Sequence, residues 1–267
     1  MADSASCDDD EVNDDQYDIT LIAPKGWRGR TAANRVAVVS APMQIPGQRR
    51  VLVTDADDFV GPATVERFGA LGDQVVTVTE PITERSAAQR VLDEQGPFDV
   101  VVVNLDLPIP VGGVTELSDE QWRGAHERLV DPLFWWCATC LGPMIEAGSG
   151  AIVVPTSATA LRQTGFPIVA YQTARSAQVA MVAAIGAEMA PHGVRVNAIA
   201  PNYVENPSYY PPELVADERF QAAVRRDVPS QRLGSGGEAA AVIEWLASDA
   251  ASYVFGAVIP VDGGWSL

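Results

Sequence analysis

From about residue 48 onward, short apolar runs alternate with longer stretches of helical spacing. Residues 51–54, 74–79, 99–104, 151–155, 194–199 and 257–261 read as strands. Residues 61–70, 86–95, 119–147, 171–190 and 238–248 read as helices, the third of them as one long helical stretch. The run at 99–104 is almost continuously β-branched, which suits a strand covered on both faces. Such alternation predicts an α/β fold: a Rossmann-like, doubly wound parallel sheet in a single domain spanning residues 48–267.

Residues 1–47 do not follow this rhythm. Residues 1–18 hold eight acidic side chains and no Lys or Arg, which predicts a disordered acidic tail. Two short strand-like runs follow at 19–23 and 36–40, suiting a small appendage or an arm that touches a partner subunit. The expectation is an acidic, partly disordered N-terminal extension.

Charge and composition narrow the function. A formal net charge of -17 argues against nucleic acid and anionic membrane surfaces as partners. No apolar run approaches the roughly 20 residues of a membrane span, and no export signal is visible, so a cytoplasmic location is expected. Three Cys cannot build a disulfide framework, and two His, His126 and His192, make a multi-histidine metal site improbable. Cys137 and Cys140, in an apolar helix with Trp135 and Trp136, read as packing residues. The tryptophans read as core or subunit interface.

The turn after the first strand carries the next signal. Dinucleotide-binding sheets place glycines there so that the backbone can approach a pyrophosphate at the helix N-terminus. Here the turn is Thr54-Asp55-Ala56-Asp57-Asp58-Phe59-Val60-Gly61, with one glycine. Asp55, Asp57 and Asp58 would each repel a phosphate charge about 5 Å away by about 3 kcal/mol at an effective dielectric near 20. Phe59 would fill space that a cofactor needs. The turn therefore predicts no dinucleotide, and Glu80, at the end of the second strand, reads as a solvated strand end.

Ser157 follows a buried strand, at the carboxyl edge where such sheets bind ligands. Tyr171 and Arg175 lie four apart on one helix and share a face. A tyrosine used as a base must ionise well below its ordinary pKa of about 10, and a permanent cation nearby favours that by about two units. Taken alone, a Tyr and an Arg one turn apart would be a surface pair; the buried strand and the Ala-rich helix argue otherwise.

These residues, with Asn104 after its strand and the terminal Val261-Asp262-Gly263-Gly264, resemble the short-chain dehydrogenase/reductase superfamily. That superfamily has a lysine four residues after its tyrosine, holding the nicotinamide ribose. Here Arg175 stands there, and the single lysine, Lys25, lies in the extension. The asparagine of the oxidoreductase tetrad is also missing, with Leu129 at the matching position. The glycine-poor loop with its aromatic residue and the Ser-Tyr-Arg set resemble the halohydrin dehalogenases, cofactor-independent offshoots of the superfamily. Pro201-Asn202-Tyr203, Asn206-Pro207-Ser208-Tyr209, Val228-Pro229, Arg232-Leu233-Gly234 and Asp262-Gly263-Gly264-Trp265 extend the likeness. Thirteen residues separate Ser157 from Tyr171, one more than the family spacing, which would select Ala158. Ser157 is assigned, the extra residue falls in the loop 161–169, and Thr159 is the fallback.

The resemblance implies a chemistry. Tyr171 takes the proton of a vicinal halohydrin, Ser157 holds the substrate oxygen, Arg175 favours the phenolate, and the oxygen displaces halide to leave an epoxide. In reverse, halide, azide, cyanide or nitrite opens the epoxide. The anion would sit where a nicotinamide otherwise lies, on Phe59, Pro201, Asn202, Tyr203 and Val204. A homotetramer built on residues 119–147 and 171–190 is also implied, and Trp265 lies where it could reach a neighbouring subunit's pocket. Two other readings stay open: a divergent NAD(P)-dependent oxidoreductase and a non-enzymatic binding protein.

Overall fold

The computed structural model describes residues 48–267, so the expectations for residues 1–47 fall outside the described part of the chain. Six strands form one parallel sheet: β1 (Arg50–Thr54), β2 (Gln74–Val78), β3 (Val100–Val102), β4 (Gly150–Pro155), β5 (Val194–Pro201) and β6 (Val258–Val261). Their order is β2-β1-β3-β4-β5-β6. The chain therefore steps outward from β1 in one direction and then the other, and a crevice opens beyond the carboxyl ends of β1 and β3. The Rossmann-like sheet read from the sequence is the sheet observed.

The central strands are apolar throughout because both faces are covered. Leu52, Val101, Ile152 and Val154 face helices α2 (Arg85–Gln95), α3 (Asp119–Leu129), α4 (Asp131–Ala147) and α5 (Val169–Met189). Val51, Val53, Val102 and Val153 face α1 (Gly61–Ala70) and, late in the chain, the helix Gly236–Ala247. A third, smaller apolar cluster of Ala158, Ala200, Phe220, Val224, Val228 and Trp265 roofs part of the carboxyl edge.

Two departures from the sequence reading have local causes. The stretch 119–147 is two helices, broken at Val130, which ends α3 and begins α4. Pro132, in the first turn of α4, has no N–H, and its ring opposes the carbonyl four residues earlier. Short helices α6 (Pro212–Val215) and α7 (Glu218–Asp227) carry the third cluster; Gly236–Ala247 is accordingly α8. α7 begins on Asp217, whose carboxylate accepts from the N–H groups of Arg219 and Phe220. The sequence pattern does not announce α7, because its apolar face is narrow, with Phe220 and Val224 buried.

Gly61 opens α1 directly behind the β1–α1 loop. A Cβ there would stand 2.6 Å from the Ala56 carbonyl oxygen and 2.7 Å from that of Asp55, both backbone atoms that cannot swing away. Gly61→Ala is expected to lower stability by about 1–3 kcal/mol through overpacking, read as an earlier midpoint with unchanged slope in a denaturant titration.

Candidate active site

The loop from Thr54 to Gly61 is held shut from several sides. Asn104, just beyond β3, donates its side-chain amide to the carbonyls of Asp55 at 2.9 Å and Asp58 at 3.0 Å. The Phe59 N–H donates to Ser208 Oγ at 2.8 Å, joining the loop to the segment after β5. Asp55 and Phe59 both adopt positive φ, 42° and 49°, so the chain doubles back twice within five residues. The result drives the Phe59 ring inward, to 5 % exposure.

Asp55 does not face a pyrophosphate, contrary to the electrostatic expectation from its sequence position. It is buried, and its Oδ2 accepts from the Asp106 N–H at 2.8 Å and pairs with Arg128 of α3. Of the three loop carboxylates, Asp57 is exposed and Asp58 half-buried. Burial pushes the Asp55 carboxyl up to about 6, against the pull of Arg128 and the Asp106 N–H; the Asp106 carboxylate adds to the rise.

Ser157 stands immediately past β4 and starts the tight turn Ala158–Ala160. Its Oγ accepts from the Thr159 hydroxyl at 2.9 Å and the Thr159 N–H at 3.3 Å. Thr159 is thus turned onto Ser157, while Ala158 is buried in the roof cluster. Side-chain hydrogen bonds tie this strand end to α5: Thr156 Oγ1 donates to the Arg175 carbonyl at 3.1 Å, and the Gln172 amide donates to the Thr159 carbonyl at 2.8 Å. Ser157, Tyr171 and Arg175 therefore come to one corner of the sheet, all buried.

Arg175 has no exposure at all. Its Nη1 donates to the Pro155 carbonyl at 3.2 Å and Gln178 Oε1 at 3.1 Å; its Nη2 donates to the Leu105 carbonyl at 3.0 Å and Tyr209 Oη at 3.4 Å. The guanidinium carbon lies 5.1 Å from the Tyr171 ring centre and 5.3 Å from that of Phe59. Burial works against this charge, yet the Tyr171 and Tyr209 phenols outweigh it and raise the Arg175 pKa further. Leu129 joins the same network through its carbonyl, which accepts from the Gln178 amide at 2.8 Å.

Tyr209, which the sequence offers only as the end of a motif, stands beside the cation. Its hydroxyl donates to the Leu107 carbonyl at 2.9 Å, and its ring stands edge-on to Phe59 at 5.4 Å and Tyr171 at 6.4 Å. Burial pushes its hydroxyl well above the usual tyrosine range. Tyr203, expected to face Phe59 across one pocket, instead packs with Tyr210, Phe220 and Trp265 in the roof cluster. Its φ of 51° and the Asn202 side chain, which accepts from its N–H at 3.0 Å, set that turn. Pro201 and Val204 are buried at the end of β5 and just past it. Trp265 is buried in its own chain, under the Arg162 guanidinium at 5.0 Å. The aromatic neighbour of Phe59 is thus Tyr209, identifiable in sequence only as part of a motif.

Among the described residues, no group of three or more His, Cys, Asp or Glu side chains could hold a metal ion, and no helix is long and apolar enough to cross a membrane. Burial pushes the thiols of Cys137 and Cys140 up to about 12, in keeping with packing residues.

Comparison with known proteins adds two kinds of likeness. A family model described as enoyl-(acyl carrier protein) reductase matches residues 48–266. The 1,6-dihydroxycyclohexa-2,4-diene-1-carboxylate dehydrogenase of Pseudomonas putida is 31% identical over 251 residues, covering 88% of this chain and 87% of its own. Among solved structures, a dehalogenation enzyme superposes with a TM-score of 0.76 at 28% identity, covering 82% of this chain and 98% of its own. A halohydrin dehalogenase bound to ethyl (2S)-oxiran-2-ylacetate gives 0.75 at 25% identity, covering 80% and 96%.

A nicotinamide dinucleotide, which the fold implies, does not fit the residues present. The loop that would approach its phosphates is pinned by Asn104, and Phe59 is folded inward over the guanidinium. Both Nη atoms of the cation one turn after the tyrosine are taken by protein oxygens.

The Asp55 carboxyl generates a pH prediction. Folded, it keeps its proton up to about pH 6, whereas an exposed aspartate releases it near 3.8. The folded state then binds more protons across that window, so this group's contribution is full below the lower value and lost as pH rises through the upper one. From pH 7 down to pH 4, wild type should gain up to roughly 3 kcal/mol relative to Asp55→Asn, at about 1.4 kcal/mol per unit. Paired denaturant titrations at the two pH values read the difference.

Proposed function

The chain belongs to the short-chain dehydrogenase/reductase superfamily, and within it we propose that it is a nucleotide-independent halohydrin dehalogenase. Its reaction converts a vicinal halohydrin to an epoxide with release of halide and a proton. The observation that carries this reading is Arg175, a fully buried cation set between the Tyr171 and Phe59 rings and bonded to the protein's own carbonyls. A cation so enclosed lies beside the phenol that takes the proton, with both Nη atoms held by the protein's own oxygens rather than turned toward a ribose.

In the forward direction the Tyr171 phenolate accepts the substrate hydroxyl proton as general base. Ser157 donates to the same oxygen and fixes it for attack on the adjacent carbon from the side opposite the halogen. The C–O bond forms as the carbon–halogen bond breaks, and both electrons leave with the halide. Thr159, whose hydroxyl donates to Ser157 Oγ, leaves the serine proton free for the substrate. In reverse, Tyr171 protonates the epoxide oxygen while halide, azide, cyanide or nitrite opens the ring. The anion site comprises Phe59, with Tyr209 as its aromatic neighbour, and the turn Pro201, Asn202, Tyr203 and Val204, to which Tyr203 brings its backbone while its ring packs in the roof cluster. The working assembly is a homotetramer.

A second reading, a divergent NAD(P)-dependent oxidoreductase, is favoured by relatives that carry dehydrogenase names, among them the Pseudomonas putida enzyme. One assay separates the two. Wild-type protein should release bromide from 1,3-dibromo-2-propanol with no nucleotide added, and NADH should show no fluorescence change on mixing. Tyr171→Phe and Arg175→Lys should each slow release by about 10²-fold or more, the usual weight of a general base. Bromide release at the wild-type rate in Tyr171→Phe rejects the mechanism; micromolar NADH binding with no bromide release establishes the oxidoreductase.

A further inference from the structure

The loop that holds Phe59 is anchored by an ion pair with no part in the chemistry proposed above. Asp55, the second residue of that loop, is 2 % exposed. Its carboxylate meets the Arg128 guanidinium, which reaches in from the last turn of α3 with its side chain 20 % exposed. Asp55 and Arg128 are 73 positions apart, so only the fold brings them together.

A buried ion pair is poor evidence of stabilisation, because removing both charges from water costs as much as their attraction returns. This pair has the marks of that cost. Its carboxyl is pushed up to about 6, and Arg128 Nη1 and Asp106 Oδ1 nearby are buried without a hydrogen-bond partner. The charged groups facing Asp55 are Arg128 from α3 and Asp106 from the segment after β3. One favours its ionised form and the other opposes it.

What the pair achieves is position. Asp55 is held at φ 42°, and from it the loop runs through Asp58, under the Asn104 amide, to Phe59 at φ 49°. The Phe59 ring then lies 5.3 Å from the Arg175 guanidinium carbon and 5.4 Å from the Tyr209 ring. The same Asp55 oxygen that meets Arg128 also accepts from the Asp106 N–H, one residue from the Leu105 carbonyl to which Arg175 donates. One carboxylate thus fixes both the loop bearing Phe59 and the backbone bearing a ligand of Arg175.

We propose that Asp55 and Arg128 are a positioning pair that latches the β1–α1 loop against α3 and thereby sets the anion-facing wall of the site. The proposal rests on the dehalogenase reading for its kinetic consequence, though not for the latch itself. With the latch released, the loop relaxes from its two left-handed turns, Phe59 moves off the guanidinium, and the anion loses its wall while Ser157 and Tyr171 keep their places on β4 and α5.

The test uses the full chain with no ligand, then with azide and a simple terminal epoxide. Amide hydrogen exchange in residues 54–61 should quicken about tenfold or more in Asp55→Asn and Arg128→Met at pH 7.5, with α5 unchanged. The double variant should go no further than either single one. In azide opening of the epoxide, the KM for azide should rise about fivefold or more with kcat within about twofold. Arg128→Lys, which keeps the charge but loses the planar fork, should fall between wild type and Arg128→Met and guards against a variant that fails to fold. Loop exchange unchanged in both single variants overturns the latch. Exchange that quickens equally in α5 and the strands, or an unchanged KM for azide, reduces the pair to a structural tie and overturns its positioning role. A wild-type chain that opens no epoxide refutes the dehalogenase reading instead, while the exchange arm still decides the latch.

Discussion

A permanent positive charge sits in the interior of this protein, and among the described residues no carboxylate bonds to it. The Arg175 guanidinium is instead surrounded by dipoles and π faces: the carbonyls of Pro155 and Leu105, the Gln178 amide oxygen, the Tyr209 hydroxyl and the rings of Phe59 and Tyr171. Such a charge is costly to bury unless it is hydrogen-bonded. The surrounding structure answers that constraint. β4 ends so that the Pro155 carbonyl points at the cation, the segment after β3 supplies Leu105, and the segment after β5 brings Tyr209. A carboxylate in this position would neutralise the cation. Neutral acceptors leave its field to act on whatever negative charge the site develops.

The same constraint accounts for the loop after β1. In a sheet of this topology the crevice beyond β1 and β3 is the natural ligand site, and glycines there let a phosphate approach the backbone. Here the loop has been turned to another use. Its carbonyls are taken by Asn104, its first carboxylate is drawn inward to Arg128, and its aromatic residue covers the cation. The two left-handed residues, Asp55 and Phe59, are where the backbone bears the cost of that path.

Two aromatic groups divide the carboxyl edge. Phe59, Tyr171 and Tyr209 gather around the cation, whereas Tyr203, Tyr210, Phe220 and Trp265 form the roof over β5 and α7. The sequence suggested one pocket walled by Phe59 and Tyr203. The positive φ at Tyr203 instead turns that side chain toward α7.

Much of the fold is decided locally and was legible for that reason. Val51 to Thr54, the β-branched centre of β3 and the Ala-rich α5 announce their structure by composition and period, and a parallel sheet follows from their alternation. The break at Val130 was legible in principle from Pro132, whose missing N–H is a chemical fact of the residue. Ser157, Tyr171 and Arg175 could be named because their spacing lies within one strand end and one helical turn. The sequence could not say that Asp55 turns inward to a partner 73 positions away, or that Tyr209 rather than Tyr203 stands beside Phe59. Those outcomes depend on where a crossover returns the chain and how a loop bends on itself. Spacing fixes what lies within a turn of helix; only the packed sheet fixes which distant side chains share a buried charge.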